Sequence, residues 1–369
     1  MDDLELLLSA RIAVRDVLKT KPGETAVIVT NPEGDVSEIA RSLYAAFVEI
    51  GAKPVLIYQE TKSQLDFAED AVIGALQTVP DIYVSMSAQK IGKDPFGQKK
   101  PYKMRGQTFS SVADFLIHGK KKTRGFWSPG VTVDLFKQAI PIDYKLLKTR
   151  ARALKSLLDL ATSVHISSPG GTDLTFSLEG RKAYVDDGDF SKPGHGGNLP
   201  AGEAYISPVN GSTEGKVVFD GSISTYDGSR LVDSPVEVCF RGGYLTTIKA
   251  LGREGEAASA LEKTIHTGEE NAMKWEAEGK LPLGEGLGYK QNARHLGELG
   301  IGLNPKAGIT GNMLVDEKAF RTIHLAIGSN YDKDAQALIH LDCLVQEPTL
   351  TLMIQGKPRV LLEKGELKL

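Results

Sequence analysis

What the chain lacks narrows its identity first. Its 369 residues include only two cysteines, Cys239 and Cys343. That is too few for a disulfide framework, and each lies in a strand-like apolar run, so buried thiols and a cytoplasmic, reducing setting are expected. No apolar run approaches the roughly 20 residues that cross a bilayer, so no membrane partner is expected. The opening residues, Met-Asp-Asp-Leu-Glu, are acidic and look unlike a secretory or transit leader. Formal net charge is only −3, which gives no global pull toward nucleic acid. The basic residues between 88 and 128 (Lys99, Lys100, Lys103, Arg105, Lys120, Lys121, Lys122 and Arg124) lack the interleaved aromatics of a stacking surface and read as solvated loop and helix. There is no internal repeat and no long low-complexity segment.

What is present reads as two domains. Forty-one per cent hydrophobic and 25% charged residues are ordinary for a soluble globular chain of this length. In the first part, helical spacing over residues 4–19, 36–50 and 64–77 alternates with apolar strands at 25–30, 54–58 and 82–86. Such alternation predicts βαβ units and a parallel sheet, hence a three-layer α/β domain over residues 1–140. The loop after the first strand, Thr30-Asn-Pro-Glu-Gly-Asp35, lacks both the glycine fingerprint of dinucleotide sites and a P-loop lysine. Scaffolding or lid duty is therefore expected of this domain rather than nucleotide binding. A helix over 142–160 joins it to the second domain, residues 141–369. There, short alternating strands around Pro169-Gly-Gly171, at 215–222, 236–240, 245–250, 349–354 and 360–363, with a helix over 255–277, predict an α+β domain rich in antiparallel strands.

The chemistry concentrates between Arg294 and Asp342. Glu298, His324, His340 and Asp342 fall within this one region, each in a short apolar run. Imidazole and carboxylate are the donors that zinc, cobalt, iron and manganese accept. The segment Ala337-Leu-Ile-His-Leu-Asp-Cys-Leu-Val345 predicts a strand buried on both faces, from which His340 and Asp342 project side by side. An unpaired carboxylate is costly there, and a metal relieves the cost. A hydrogen-bonded His–Asp pair is the plainer alternative for those two residues alone. His165 and His195 read as structural, and His118 and His266 carry no signal.

Six stretches appear in order: Arg124-Gly-Phe-Trp-Ser-Pro-Gly130, Ser168-Pro-Gly-Gly-Thr-Asp-Leu-Thr-Phe176, Asn198-Leu-Pro-Ala-Gly-Glu203, Gly297-Glu-Leu-Gly-Ile301, His324-Leu-Ala-Ile-Gly328 with Tyr331, and His340-Leu-Asp342. In this order they resemble the aminopeptidase T / aminopeptidase S family of metallopeptidases over nearly the whole chain. The resemblance implies a metallo-aminopeptidase, a hydrolase with two divalent ions, zinc or cobalt, and Glu203, Glu298, His324, His340 and Asp342 as ligands. It implies Tyr331 as a further active-site residue, a peptide or other small-molecule substrate, and a homodimer. The short interval between His324 and His340 departs from that pattern. The compact form is similar to a related branch, that of 2,5-dihydroxypyridine 5,6-dioxygenase, which opens an aromatic ring with one iron(II) held by two histidines and an aspartate. On that branch His295 becomes a candidate ligand, although a surface helix or turn position suits it better.

Overall fold

The structure, a computed structural model, describes residues 3–63, 66–253 and 255–369, and every count below is of these residues. Its contacts divide the chain into two compact units: residues 1–148 with 186–201, and residues 149–185 with 202–369.

The first unit is built on the strand Thr25–Thr30, whose run of β-branched and apolar residues is buried after its first position. It is the penultimate strand of a five-stranded sheet ordered Gly196–Asn198, Arg124–Trp127, Ile82–Met86, Thr25–Thr30, Lys53–Tyr58. Every pairing in it is parallel. The helix Asp35–Glu49 buries Val36, Ile39, Ala40, Leu43, Ala46 and Phe47, the spacing of one helical face. Val27, Val29 and Tyr83 instead join a separate cluster with Val72, Ile73 and Leu76 of the helix Asp70–Gln77 and with Leu116 and Ile117. Helices thus cover both faces, as a parallel sheet requires, and the three-layer expectation holds. The helix Asp70–Gln77 is shorter than the 64–77 predicted; residues 64 and 65 lie outside the described set.

One basic residue departs from its surface reading. Arg124 is buried, at 3% exposure. Its Nη1 and Nη2 bind Glu24 Oε1 and Oε2 at 3.0 and 2.6 Å, and its Nε donates to the Leu18 carbonyl at 3.0 Å. Its lysine-rich neighbours masked it in the sequence. It opens a strand, and its side chain ties that strand to the residue that precedes Thr25. A bidentate pair of this kind leaves a buried charge when one partner is removed.

The second unit carries two sheets. A seven-stranded sheet runs Gly228–Leu231, Ser222–Thr225, His340–Gln346, Thr322–Gly328, Leu296–Gly302, Glu203–Ile206, Tyr184–Asp186. It is antiparallel from Gly228–Leu231 to Glu203–Ile206. An eight-stranded antiparallel sheet runs Tyr244–Ala250, Val236–Arg241, Glu214–Phe219, Asp173–Ser177, Ala161–Ser167, Thr349–Ile354, Lys357–Glu363, Glu366–Leu367. The hairpin predicted around Pro169-Gly-Gly171 is the pair Ala161–Ser167 and Asp173–Ser177. Leu296–Gly302 and Thr322–Gly328 are buried at every residue, so both faces of this central pair are covered. Cys239 and Cys343 are free. Among the described residues no helix is long and apolar enough to cross a membrane.

Replacing Arg124 with Met removes its bonds to the part-exposed Glu24 and to the Leu18 carbonyl and should cost about 2 kcal/mol of unfolding free energy, the scale of a charged hydrogen bond. Urea denaturation of the variant measures it; an unchanged midpoint would show that the pair contributes nothing.

Candidate metal centre

The register of the seven-stranded sheet builds the site. In a strand, residues two apart share a face. Gly300 stands opposite both His324 and Tyr205, Gly302 opposite Glu203, Glu298 opposite Ala326, Ala326 opposite Asp342, and Gly328 opposite His340. Glu203, Glu298, His324, His340 and Asp342 therefore rise from one face of four adjacent strands. Small residues interleave with them. A Cβ on Gly300 would lie 2.0 Å from Cε1 and Nε2 of His324, so the imidazole lies directly against that backbone. Gly302 is equally constrained, by the Ala319 carbonyl at 2.0 Å.

All five sequence-predicted ligands meet. His324 Nε2 lies 3.1 Å from Glu298 Oε1 and 3.5 Å from Glu203 Oε2. His340 Nε2 lies 3.4 Å from Glu298 Oε2 and 3.3 Å from Asp342 Oδ1. Donor atoms of Glu203, Glu298 and His324 fall within 4.8 Å of one another. Both imidazoles are oriented the same way. His324 Nδ1 donates to the Glu317 carbonyl at 3.2 Å, and His340 Nδ1 to the Ser329 carbonyl at 2.8 Å. A carbonyl can only accept, so each ring turns Nε2 toward the carboxylates, as metal-binding histidines do when the other nitrogen is held by backbone. Glu298 Oε2 is buried, and the approach from His340 falls short of hydrogen-bond geometry, leaving that oxygen without such a partner. The donor set, its orientation and this buried oxygen fit divalent metal.

The electrostatics follow from crowding. Burial opposes charge on His324, but its hydrogen bond to Glu298 and the charges of Glu203, Glu298 and Asp342 raise it to about 9. Burial likewise opposes charge on His340, and Asp342 and Glu298 still hold it well above the usual imidazole value. Burial would raise Glu298 and Asp342; the two histidines outweigh it and hold both carboxylates low. The pocket attracts cations, whether protons or metal ions.

Two residues of the cluster went unassigned in the sequence although they lie inside the stretch. Lys318 is wholly buried, and its ammonium sits 2.6 Å from both Glu203 Oε1 and Glu317 Oε1. Burial pushes the Glu317 carboxyl up to about 7; Lys318 opposes the shift, and the like charges of Glu203 and Asp342 add to it. The short helix Met313–Asp316 delivers them, and Asp316 anchors it by accepting from the Thr310 and Gly311 amides, both at 2.8 Å. The signal was there: a lysine between Met-Leu-Val and Ala-Phe has little apolar reason to be buried unless acids await it.

Tyr331 follows the Thr322–Gly328 strand, and its ring meets the His340 ring edge-on at 5.5 Å. Half of the Tyr331 surface is exposed, yet its phenol is raised, first by the desolvation from the atoms packed around it and then by Glu298, Asp342 and Glu203, which places it within their field. His295 is not part of the cluster. It is fully buried rather than on the surface, its ring lies edge-on to Tyr244 at 5.7 Å, and neither ring nitrogen has a hydrogen-bond partner. Burial lowers it to about 4. It is a neutral core residue, and the iron-ligand role considered for it has no support in this geometry. Among the other histidines, His165 pairs with Asp173 at 2.8 Å on an exposed surface.

This architecture is a candidate metal centre on antiparallel strands, and comparison narrows its kinship. Residues 132–352 match the family described as NicX, 2,5-dihydroxypyridine 5,6-dioxygenase. That span covers more than half of the chain, which therefore belongs to this enzyme family. Among solved structures it is similar to the 2,5-dihydroxypyridine dioxygenase of Pseudomonas putida KT2440, with TM-score 0.69 and 16% identity over 98% of this chain and 96% of that one. It is also similar to AmpT, aminopeptidase T, of Thermus thermophilus, with TM-score 0.66 and 17% identity over 99% of each chain. Both branches named by the sequence motifs are thus present among its structural relatives, and at these identities they establish the fold. No curated protein sequence matches it.

Two outcomes test this description. Gly300→Ala should push the His324 ring aside and weaken zinc binding about 10- to 100-fold, the range seen when a ligand's support is removed, with native circular dichroism; calorimetric titration reads it, and unchanged affinity would refute the packing argument. His295 supplies a pH test. Its folded value lies below the unfolded value of roughly 6.5, so its contribution is present above that value and disappears as pH falls toward 4. Folded protein should lose up to about 3 kcal/mol over this window on its account. His295→Leu should flatten that part of the stability–pH curve, and equal slopes would exclude the assignment.

Proposed function

We propose that this chain is a metal-dependent aminopeptidase that hydrolyses N-terminal residues from peptides. The observation that carries the reading is the position of the two glutamates. A mononuclear iron site needs only two histidines and one carboxylate, yet Glu203 and Glu298 both stand in the cluster. Glu298 presents one oxygen to His324 and the other to His340, so it would be available to cations held beside either histidine. Glu203 with His324, and Asp342 with His340, would supply the remaining donors. Divalent ions held by these residues would supply Lewis acidity to polarise a peptide carbonyl and acidify water. Lys318 holds one oxygen of Glu203 and so fixes the orientation of the other. Tyr331 stays protonated and is placed to donate a hydrogen bond to the carbonyl oxygen as charge develops there. His340 and Asp342, with side chains 26% and 13% exposed, are the open side of the cluster; Glu298 and His324 are its floor.

A second reading has its own support. Family membership and the Pseudomonas putida fold relative favour a ring-cleaving dioxygenase, and His324, His340 and Asp342 together provide two imidazoles and a carboxylate for one iron(II). Metal content separates the two. Protein purified without added metal should contain two zinc or cobalt ions per chain and should hydrolyse aminoacyl p-nitroanilides. Glu298→Ala should abolish that hydrolysis with the fold intact. One iron per chain, with oxygen uptake on 2,5-dihydroxypyridine, would establish the dioxygenase instead; full hydrolytic activity in the Glu298→Ala variant would overturn the two-metal assignment.

A further inference from the structure

Beside the candidate metal centre lies an aromatic group that its donor set does not account for. Tyr205 projects from the same strand face as Glu203, two residues on, and stands opposite Gly300. Tyr184, on the sheet's edge strand, stacks on it with ring centroids 5.5 Å apart and planes 22° from parallel. Tyr331 closes the triangle, 5.0 Å from Tyr205 and 6.5 Å from Tyr184, while its other contact is the His340 ring. The three rings form a continuous surface that begins at a metal-ligand imidazole and runs to the sheet edge.

Two facts suggest a binding surface rather than core packing. First, Tyr184 and Tyr331 remain 41% and 51% exposed although each already touches other rings. Second, the loop that carries Tyr331 is fixed by its own polar contacts. Arg181 Nη1 lies 2.9 Å from Asp334 Oδ2, Arg181 Nη2 donates to the Pro208 carbonyl at 2.9 Å, and Asn330 Nδ2 donates to Asp334 Oδ1 at 2.6 Å. A rigid loop that holds a large ring half in solvent costs exposure without gaining burial. A preformed wall of ring faces recovers that cost when a planar or bulky apolar group lies on it.

We propose that Tyr184, Tyr205 and Tyr331 form a specificity subsite for an aromatic side chain on the substrate residue whose carbonyl lies at the metal centre. This rests on the hydrolase reading for its substrate, though not for the existence of the subsite. Tyr331 spans the two functions: its hydroxyl end lies in the field of the carboxylates, and its ring forms the wall nearest the reacting bond. Tyr205 and Tyr184 extend the wall away from the metals, so ring size on the substrate is read at a distance from the chemistry. Alanine in that position would leave the wall bare, and an aromatic residue would cover it.

The experiment compares phenylalanine and alanine on metal-loaded protein in two ways: kcat/KM for the two p-nitroanilides, and equilibrium binding of the two free amino acids by calorimetry. Phenylalanine should be favoured about tenfold or more in both. Tyr205→Leu should reduce that preference about tenfold, chiefly through KM, and Tyr205→Phe, which keeps the ring, should restore it. Tyr184→Leu, at the exposed edge, is the second variant should Tyr205→Leu fold poorly. If no anilide is hydrolysed but phenylalanine binding still exceeds alanine binding and falls in the leucine variants, the subsite stands and the hydrolase reading fails. If phenylalanine shows no advantage, or the leucine variants keep it in full, the subsite is refuted.

Discussion

Like charge held close together in a dry place governs this structure. Glu203, Glu298 and Asp342, with Glu317 behind them, share one buried region: burial first, and then its acidic neighbours, push the Glu317 carboxyl up to about 7, and the acids drive two imidazoles toward their charged forms. Carboxylates do not gather this way without countercharge. Lys318 supplies one fixed positive charge from beneath, and its complete burial makes sense only because two acids meet it at 2.6 Å. The rest of the second unit can be read as the means of holding this arrangement: two central strands buried at every residue, carbonyls that set the histidine rings, and a short helix pinned by Asp316 that brings Lys318 into place.

The sheet's regularity is what makes so dense a cluster possible. Neighbouring strands put side chains of one face about 4.5–5.5 Å apart, so donors on adjacent strands converge without any loop being bent toward them. That leaves no room for ordinary side chains between them. Glycine at 300 and 302 and alanine at 326 are therefore part of the candidate site as much as the five donor residues are, although they offer no donor atom. The first unit shows a different solution to a similar demand: a single guanidinium, Arg124, with one carboxylate and one carbonyl, ties the start of one strand to the approach of another.

Much of this was legible in the chain. Strand–helix alternation gave the parallel sheet because period and composition are local properties. His340 and Asp342 announced themselves by a spacing of two within an apolar run, Glu298 and His324 by lying close by in apolar runs of their own, and the ordered motifs added Glu203 and Tyr331. The remainder depended on pairings that local pattern does not encode. Lys318 looked like one more charge until Glu203, 115 positions earlier, was seen beside it. Arg124 was hidden by basic neighbours that do face solvent. His295 had been placed at the surface, but it lies fully buried against Tyr244, whose approach across the isolated bridge between the two residues no periodicity predicts. The tyrosine wall likewise requires knowing that Tyr184 and Tyr205 occupy adjacent strands.

The strand His340–Gln346 lies between Ser222–Thr225 and Thr322–Gly328, inside the sheet rather than at its margin. Its two pairings differ in kind. With Thr322–Gly328, the strand just before it in sequence, it forms a hairpin; with Ser222–Thr225 it must join a strand far earlier in the chain. The first closure is local and the second is long-range, which is slower. The hairpin alone puts His340 and Asp342 on the same face as His324, so that much of the cluster is set by neighbours in sequence, and the join to Ser222–Thr225 is the slower step.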